Sequence, residues 1–470
     1  MLVPFTLEQI VCTVCAAAAF AALYIRLCVP KGLPPGITQP WFLLEIPNQR
    51  VWLKALELKR RYGDILFVHI FGYTGVIIGS AKIAEDLLEK RSVIYADRPR
   101  SVMAGELSGW GKVMLLSDYN DRFRQQRKWI AQEIGGYGTV QKWHGLIEYE
   151  TRRFLRSMLN DPERTQAHVR RTFTSIILRI TYGYKTMDGD DPLVDLPLQA
   201  NSQLALSTSP GAYYVDVFPF LRYIPSWLPG AGFKRKSKQN AAVLRNLVEV
   251  PYQMVKAQLT AGAALPSFTT RLLNKPNLTE EYEDSVKWAS TTLYHSGADT
   301  SGSVAYALYL AMTLFPRVQK KAQDVADDVY EGSFIPAGSY VFVNIWGMLR
   351  DERTYTDPLE FKPERFLGDK PETDPRNVCF GLGRRRCPGY FLGYASVWLM
   401  CAQALAVFDI SKCIENGVEI TPKVELEGAT IAHQAPFKCS IKPRSAEARA
   451  LIEEAFPYDD KHEEVNAQLL

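Results

Sequence analysis

The pattern of apolar and polar positions predicts a mainly helical chain with a small β-rich part near its N-terminus. Residues Val51–Tyr62 have helical periodicity, and the apolar runs Ile65–Ile70 and Gly75–Ile78 are typical of strands. Four more helical patterns follow, over Asp121–Gln132, Trp143–Leu159, Arg170–Tyr182 and Ser237–Leu259. We therefore predict a mainly α fold with minor β.

The longest helical pattern runs for 36 residues, from Thr279 to Leu314. Thr279 suits an N-cap, acidic residues occupy the first turn, and Pro316 follows the end. Beyond it lie a strand-like stretch, a Pro-rich stretch and a helix that starts at Pro388. Residues 50–440 contain no clear linker, so we expect one large domain.

The N-terminus contains an apolar run without charge, from Ile10 to Ile25. With its apolar flanks it reaches the length that spans a membrane. A cleaved signal peptide is the alternative, but no basic residue precedes the run, whereas Arg26 and Lys31 follow it. We therefore expect an uncleaved anchor over residues 1–30, a catalytic domain over 31–443 and a charged, mobile C-terminal tail over 444–470.

Residues 213–238 place aromatic side chains and prolines directly before a basic cluster, Lys234–Lys238. A surface loop explains this composition as well as a second membrane contact does, with Phe220 and Trp227 in the interface. Composition alone leaves both interpretations open.

Charge and cysteine usage exclude several classes of function. The 55 basic and 51 acidic residues give a net charge of only +4, so nothing indicates a nucleic-acid partner. The eight cysteines do not form a zinc-like pattern, and a chain of this size does not need disulfides, which favours a reducing compartment.

The clearest chemical signal is Cys387, which ends a glycine-rich loop and opens an apolar helix. The helix dipole and nearby backbone N–H groups would stabilise a thiolate there. Gly381, Gly383 and Gly389 would let the backbone approach a large flat group, and the neighbouring arginines could neutralise its carboxylates.

Phe380, Gly383, Arg385, Cys387 and Gly389 together match the haem-binding signature of the cytochrome P450 family, and the chain resembles a fungal microsomal member. This resemblance implies the cytochrome P450 fold and a heme b cofactor. It also implies that Cys387 is the axial ligand of the iron and that Arg385 binds a haem propionate.

Two further segments resemble family motifs. Ser296–Ser301, in the middle of the long helix, is similar to the oxygen-activation motif, in which Asp299 and Thr300 would relay protons to dioxygen. Phe123–Arg127 is similar to the helix segment whose last arginine, Arg127, binds the other propionate, although Phe123 replaces the usual tryptophan.

One family element is missing from its usual place. Pro363–Phe366 matches the segment whose arginine, here Arg365, pairs with an earlier Glu-x-x-Arg helix, but no such helix lies between Thr300 and Cys387. We therefore predict a deletion between the long helix and the haem loop. Arg365 would then remain a partly buried, unpaired charge, which is destabilising.

The resemblance implies a monooxygenase that inserts one atom of dioxygen into a small lipophilic substrate of fungal secondary metabolism. Its electrons would come from a membrane-bound NADPH-cytochrome reductase, since the chain has no Gly-rich dinucleotide motif. We expect it at the endoplasmic reticulum membrane, facing the cytosol. The alternatives are an inactive haem-binding remnant and a haem-thiolate isomerase or peroxide-using enzyme. Asp299 and Thr300 argue against the latter pair.

Overall fold

The computed structural model of this protein describes residues 36–37, 51–70, 73–187, 189–209, 211–314, 340–367, 370–428 and 432–454. The anchor predicted within residues 1–30 lies outside this part of the chain. Among the described helices, one, Tyr390–Val407, has the length and composition to cross a membrane. Helices dominate the described chain, which confirms the predicted mainly α fold with minor β.

The longer helices are α1 (Val51–Tyr62), α2 (Asp121–Ile134), α3 (His144–Asn160), α4 (Thr165–Tyr182), α5 (Pro192–Ser207), α6 (Gly232–Thr260), α7 (Phe268–Leu273), α8 (Glu280–Leu314), α9 (Tyr390–Val407) and α10 (Ala446–Glu453). Short α-helical turns lie at Ala81–Ala84, Tyr137–Gln141, Tyr214–Val217, Ile345–Met348 and Arg376–Cys379. The other helical turns, of 3-10 or π type, lie at Glu85–Glu89, Val102–Leu107, Trp110–Lys112, Pro162–Arg164, Pro219–Tyr223, Pro363–Phe366 and Gly383–Arg385.

The strands are β1 (Gly36–Ile37), β2 (Ile65–Ile70), β3 (Tyr73–Ile78), β4 (Tyr340–Val343), β5 (Phe408–Ser411), β6 (Cys413–Glu415), β7 (Val418–Ile420), β8 (Leu426–Gly428), β9 (Ala432–Gln434) and β10 (Ser440–Pro443). The first four form one sheet in the order β1-β2-β3-β4. β2 and β3 pair antiparallel, while β4 joins β3 in parallel, with Ile78 opposite Val343. The remaining strands pair antiparallel as β5 with β10, β6 with β7 and β8 with β9.

Helix α8 runs through the main hydrophobic core. It packs along α4 on one side and against α2, α5 and α9 elsewhere. Its first turn contains three glutamates, which the helix dipole favours at that end. Because α9 starts just after Cys387 and crosses α8, this packing brings the cysteine loop to the middle of α8.

The C-terminal part of the described chain corrects one prediction. Residues Ala446–Glu453 were expected to belong to a mobile tail, but they form α10, capped by the Ser445 hydroxyl, which accepts the Ala448 N–H at 3.0 Å. Ala448 and Ile452 are buried in a second core cluster with residues of α3, α8 and α9. Two apolar residues at helical spacing outweigh the charged composition that suggested a tail.

Candidate active site

Cys387 lies in the loop that connects the Gly383–Arg385 turn to α9. Its backbone N–H donates to the Phe380 carbonyl at 2.8 Å, which closes the loop. Cys387 is an exposed residue, while the protein around its thiol raises the thiol pKa by desolvation. The Gly389 backbone N–H and the charges of Arg127 and Arg386 act in the opposite direction, because they favour the thiolate.

A cavity of about 230 Å³ opens beside this cysteine. Its lining combines the cationic side chains of Arg127 and Arg386 with apolar and small residues, among them Phe391 and Gly135. Gly389 lies directly beside the thiol, since a Cβ there would be in ordinary van der Waals contact with Sγ, at 3.7 Å.

Three arginines that lack a carboxylate partner in the described chain surround this region. The Arg385 guanidinium donates to the carbonyls of Ala96, Met114 and Ser117 at 2.6, 3.1 and 2.7 Å. It also lies 3.9 Å from the centre of the Phe123 ring, and burial lowers its pKa to about 10.

Arg127 donates to the Arg386 carbonyl at 2.5 Å, and burial lowers its pKa too. Arg98 is an exposed residue, yet the protein near its guanidinium lowers the pKa of that group by desolvation. No sequence motif pointed to Arg98. Arginines without carboxylate partners among the described residues suit a bound group that brings its own carboxylates, as a haem does.

Gly383 was expected to approach a large flat bound group, but in the structure it lies against the backbone of Leu88. Its φ is +65°, and a Cβ there would lie 1.8 Å from the carbonyl oxygen of Leu88. Its N–H donates to the Glu89 carboxylate. The close approach that requires glycine is therefore to the Glu85–Glu89 turn, whereas Phe380 packs edge-on against Tyr390, with ring centres 4.8 Å apart.

The middle of α8 presents one open face. Ser296, Thr300 and Val304 follow at intervals of four, are exposed, and form what we call the open stripe. The Thr300 hydroxyl donates to the Ser296 carbonyl at 2.9 Å. A Cβ at Gly393 of α9 would lie 3.4 Å from the Ser301 hydroxyl. The start of α9, just after Cys387, therefore lies next to the open stripe.

Asp299 points in another direction from its neighbour Thr300. It is 5% exposed, and one carboxylate oxygen accepts from the Asn201 amide at 3.2 Å. The same oxygen lies 3.5 Å from Nε2 of His433, whose Nδ1 lies 2.9 Å from the Ser303 hydroxyl. Within the described chain, no hydrogen bond joins the Asp299 and Thr300 side chains.

A cavity of about 20 Å³, lined by Asp299, Ser303, Tyr306, His433 and other polar residues, adjoins this carboxylate. That volume suits about one water molecule. Asn201 and His433 were not identified from the sequence, because they lie far from Asp299 along the chain.

Arg365 contradicts the expectation of an unpaired charge. Its side chain is 8% exposed, and its Nη1 lies 2.6 Å from a carboxylate oxygen of Glu372. The partner thus lies seven residues downstream, whereas the family motif predicts a partner in an upstream helix.

Comparison with known proteins identifies the family. The cytochrome P450 family model matches residues 32–331 and 323–438. Cytochrome P450 monooxygenase 208 of Postia placenta is 39% identical, covering 89% of this chain and 92% of the relative. Cytochrome P450 monooxygenase claR of Ampulloclitocybe clavipes is 38% identical, covering 91% and 88%. A solved zebrafish cytochrome P450 with abiraterone shares the fold, with a TM-score of 0.62 at 17% identity over 84% of this chain and all of the other.

The alignment with the Postia placenta monooxygenase also shows a difference in length. It spans 472 positions, yet 89% of 470 residues is about 418, so about 54 positions hold a residue of the relative and none of this chain. The two stretches matched by the family model overlap at residues 323–331, which lie between α8 and β4 in the sequence. With matches over most of its length, this chain is an oxidoreductase that belongs to the cytochrome P450 family, whose haem iron is held by a cysteine.

Proposed function

We propose that this protein is a membrane-bound monooxygenase that uses heme b to insert one atom of dioxygen into a small lipophilic molecule of fungal secondary metabolism. The observation that carries the proposal is an exposed cysteine, Cys387, which lines a cavity and lies six residues before the point where Gly393 of α9 meets Ser301 of α8. Among the relatives is the tryptamine 4-monooxygenase of Psilocybe cyanescens, 32% identical over 94% of this chain, whose name describes oxidation of a small molecule.

In this proposal the chain's own residues hold the cofactor and handle protons. Cys387 would hold the iron, and Arg385, Arg127 and Arg98 would neutralise the two carboxylates. The haem, when bound, supplies the reductive activation of dioxygen. Phe380 supports the start of α9 through its contact with Tyr390.

Asp299 would receive protons from solvent, and Thr300 would donate them to the bound group. The Asp299 carboxylate lies beside a water-sized cavity and His433, whose side chain is 32% exposed, so protons from solvent can reach it. The Thr300 hydroxyl lies on the open stripe, where it can pass a proton to a group bound there. Asn201 would hold the carboxylate in place between deliveries.

The membrane and the reductase complete the proposal. Phe220, Tyr223 and Trp227 are 65%, 73% and 79% exposed, and the Lys234–Lys238 cluster follows them. Exposed aromatic rings beside basic residues suit the interface of a membrane. We place the protein at the endoplasmic reticulum with its catalytic domain in the cytosol, where a NADPH-cytochrome reductase would supply electrons.

A second function, that of an inactive haem-binding remnant, is favoured by one specific observation. About 54 aligned positions are absent from this chain. In the described structure, α9 is apolar all round, yet Trp398 is 52% exposed and Phe391 and Tyr394 are 38% and 39% exposed. A helix of that composition is normally buried, so its cover could be the absent segment.

The deciding experiment is a reduced carbon-monoxide difference spectrum of the purified 470-residue chain. We expect the strongly red-shifted Soret band of a thiolate ligand, its loss in Cys387→Ala, and its retention in Cys379→Ala, the matched control eight residues upstream. Absence of the band in the unmodified chain would overturn the proposal. If the band is present, oxidation of NADPH with added reductase and dioxygen, coupled to product formation, would separate the enzyme from the remnant.

A further inference from the structure

The Arg365–Glu372 pair is held in a nearly closed environment. Arg365 lies in the Pro363–Phe366 turn, with 8% of its side chain exposed, and the Glu372 side chain is 19% exposed. Their closest N–O distance is 2.6 Å. At that burial the two charges are only weakly screened by water, which distinguishes them from an exposed ion pair of little consequence.

Hydrogen bonds connect this pair to the backbone of residues 356–360. Arg365 donates to the carbonyls of Thr356, Asp357 and Glu360 at 2.5, 3.0 and 3.1 Å. The second carboxylate oxygen of Glu372 accepts the Thr356 N–H at 2.9 Å, and the Glu372 N–H donates to the Arg365 carbonyl at 2.7 Å. Both charged groups thus have hydrogen-bond partners. Together they join residues 356–360 to Arg365 and Glu372.

The segment that follows leads directly to the cysteine loop. The Asp374 carboxylate accepts the Arg376 N–H and pairs with its guanidinium, both at 2.7 Å. Arg376 lies 5.0 Å from the centre of the Tyr394 ring on α9. The Arg376–Cys379 turn then brings the Phe380 carbonyl to the Cys387 N–H. A displacement of Glu372 would therefore move Phe380, at the start of the cysteine loop, and would disturb the contact of Arg376 with α9, which follows the loop.

We propose that Glu372 is a positioning residue, which supplies the carboxylate that Arg365 lacks upstream and so fixes the loop that carries Cys387. The role assigned to Cys387 rests on the proposed function; the pairing itself does not. Burial raises the Glu372 pKa, but hydrogen bonds from Arg365 and Thr356 lower it below its usual value overall, so the carboxylate is charged at neutral pH. A shortened chain that keeps a local partner for Arg365 can still close its haem loop.

The test compares Glu372→Gln with Glu360→Gln, the same substitution at an exposed side chain whose carbonyl, not its carboxylate, serves Arg365. We expect Glu372→Gln to lower the thiolate-type band of the carbon-monoxide spectrum, per mole of protein, by about fivefold or more, because it leaves a buried cation unpaired. Glu360→Gln should keep the band of the unmodified chain, and Glu372→Asp should restore part of it.

A double variant separates positioning from charge burial. Arg365→Gln with Glu372→Gln removes both charges, so its melting temperature should recover towards that of the unmodified chain. If Glu372 positions the loop, the thiolate-type band should stay low. Recovery of both quantities would show that the pair has only a structural role and would overturn the proposal.

Hydrogen exchange of the backbone tests the pairing without haem. In Glu372→Gln, the Thr356 amide should exchange at least about tenfold faster, because its acceptor is weakened. If the unmodified chain binds no haem, the proposed function fails, and unchanged exchange would separately refute the pairing. If the chain shows the thiolate-type band and Glu372→Gln matches Glu360→Gln, only the positioning proposal fails.

Discussion

At the residue scale, Gly383 shows that a position of the haem signature is required for packing of the chain itself. Gly383→Ala would place a methyl group 1.8 Å from the Leu88 carbonyl oxygen, at a φ of +65°. We expect it to lower the free energy of unfolding by about 3 kcal/mol or more, since collision adds to backbone strain. Urea unfolding of the purified chain would measure this.

Gly417→Ala is the matched control, because its φ is +79° but nothing lies within 4 Å of the added Cβ. Backbone strain alone should lower its free energy of unfolding by about 1 kcal/mol. Equal losses in the two variants would mean that the loop at Gly383 moves away from Leu88, contrary to the packing described.

At the scale of one helix, α8 contains a buried histidine that should make stability depend on pH. His295 lies against Trp110, with ring centres 4.9 Å apart, and burial lowers its pKa from 6.5 to about 4. Between these values the unfolded chain binds the proton and the folded chain does not. Stability is therefore lost as pH falls from 6.5 towards 4, by about 2 kcal/mol at pH 5.

His295→Phe should remove this loss, and His144→Gln, at the start of α3, should keep it. The measurement is the free energy of unfolding in urea at pH 7 and pH 5 for the three proteins. A drop of the same size in His295→Phe and in the unmodified chain would contradict the assignment.

The two faces of helix α9 should contribute very differently to the free energy of unfolding. Leu392→Ala should lower the free energy of unfolding by about 2 to 4 kcal/mol, since this leucine is 6% exposed. Trp398→Ser should cost less, about 1 kcal/mol, because 52% of this residue is already exposed. Thermal or urea unfolding compares the two. An equally large loss for Trp398→Ser would mean that this face is covered in the folded protein.

Helices and strands could be predicted from the sequence, because their periodicity is local. The predicted Thr279–Leu314 helix differs from α8 by one residue, and Ile65–Ile70 is a strand as expected. The partners of site residues could not be predicted. Asn201 and Asp299 meet because α5 and α8 pack together, which no local pattern indicates. Glu372 could not be predicted as the partner of Arg365 either, because their pairing depends on how the irregular chain after the Pro363–Phe366 turn folds back.

At the scale of the whole molecule, the central question is how a cytochrome P450 chain folds with about 54 fewer aligned positions than a relative. The described elements keep the order that places Cys387 beside α8, and Glu372 gives Arg365 a partner. One face of α9 has exposed aromatic side chains, which the predicted deletion would explain. The deletion itself stays a prediction, and it can be tested by reversing it.

Inserting the corresponding segment of the Postia placenta monooxygenase between α8 and β4 should cover the α9 face. Burying Phe391, Tyr394 and Trp398 should raise the free energy of unfolding by at least about 3 kcal/mol, at roughly 1 to 2 kcal/mol for each large aromatic side chain that is already half-buried. Trp398→Ser should then cost more in the chimera than the roughly 1 kcal/mol expected in the unmodified chain. An insertion of equal length rich in Gly and Ser is the control. It should raise neither the free energy of unfolding nor the cost of Trp398→Ser.

If the chimera gains no stability while the unmodified chain already shows the thiolate-type band, the short chain is sufficient for haem binding and the α9 face is exposed in the folded protein. If stability and the band rise together, the shortening is what limits this enzyme.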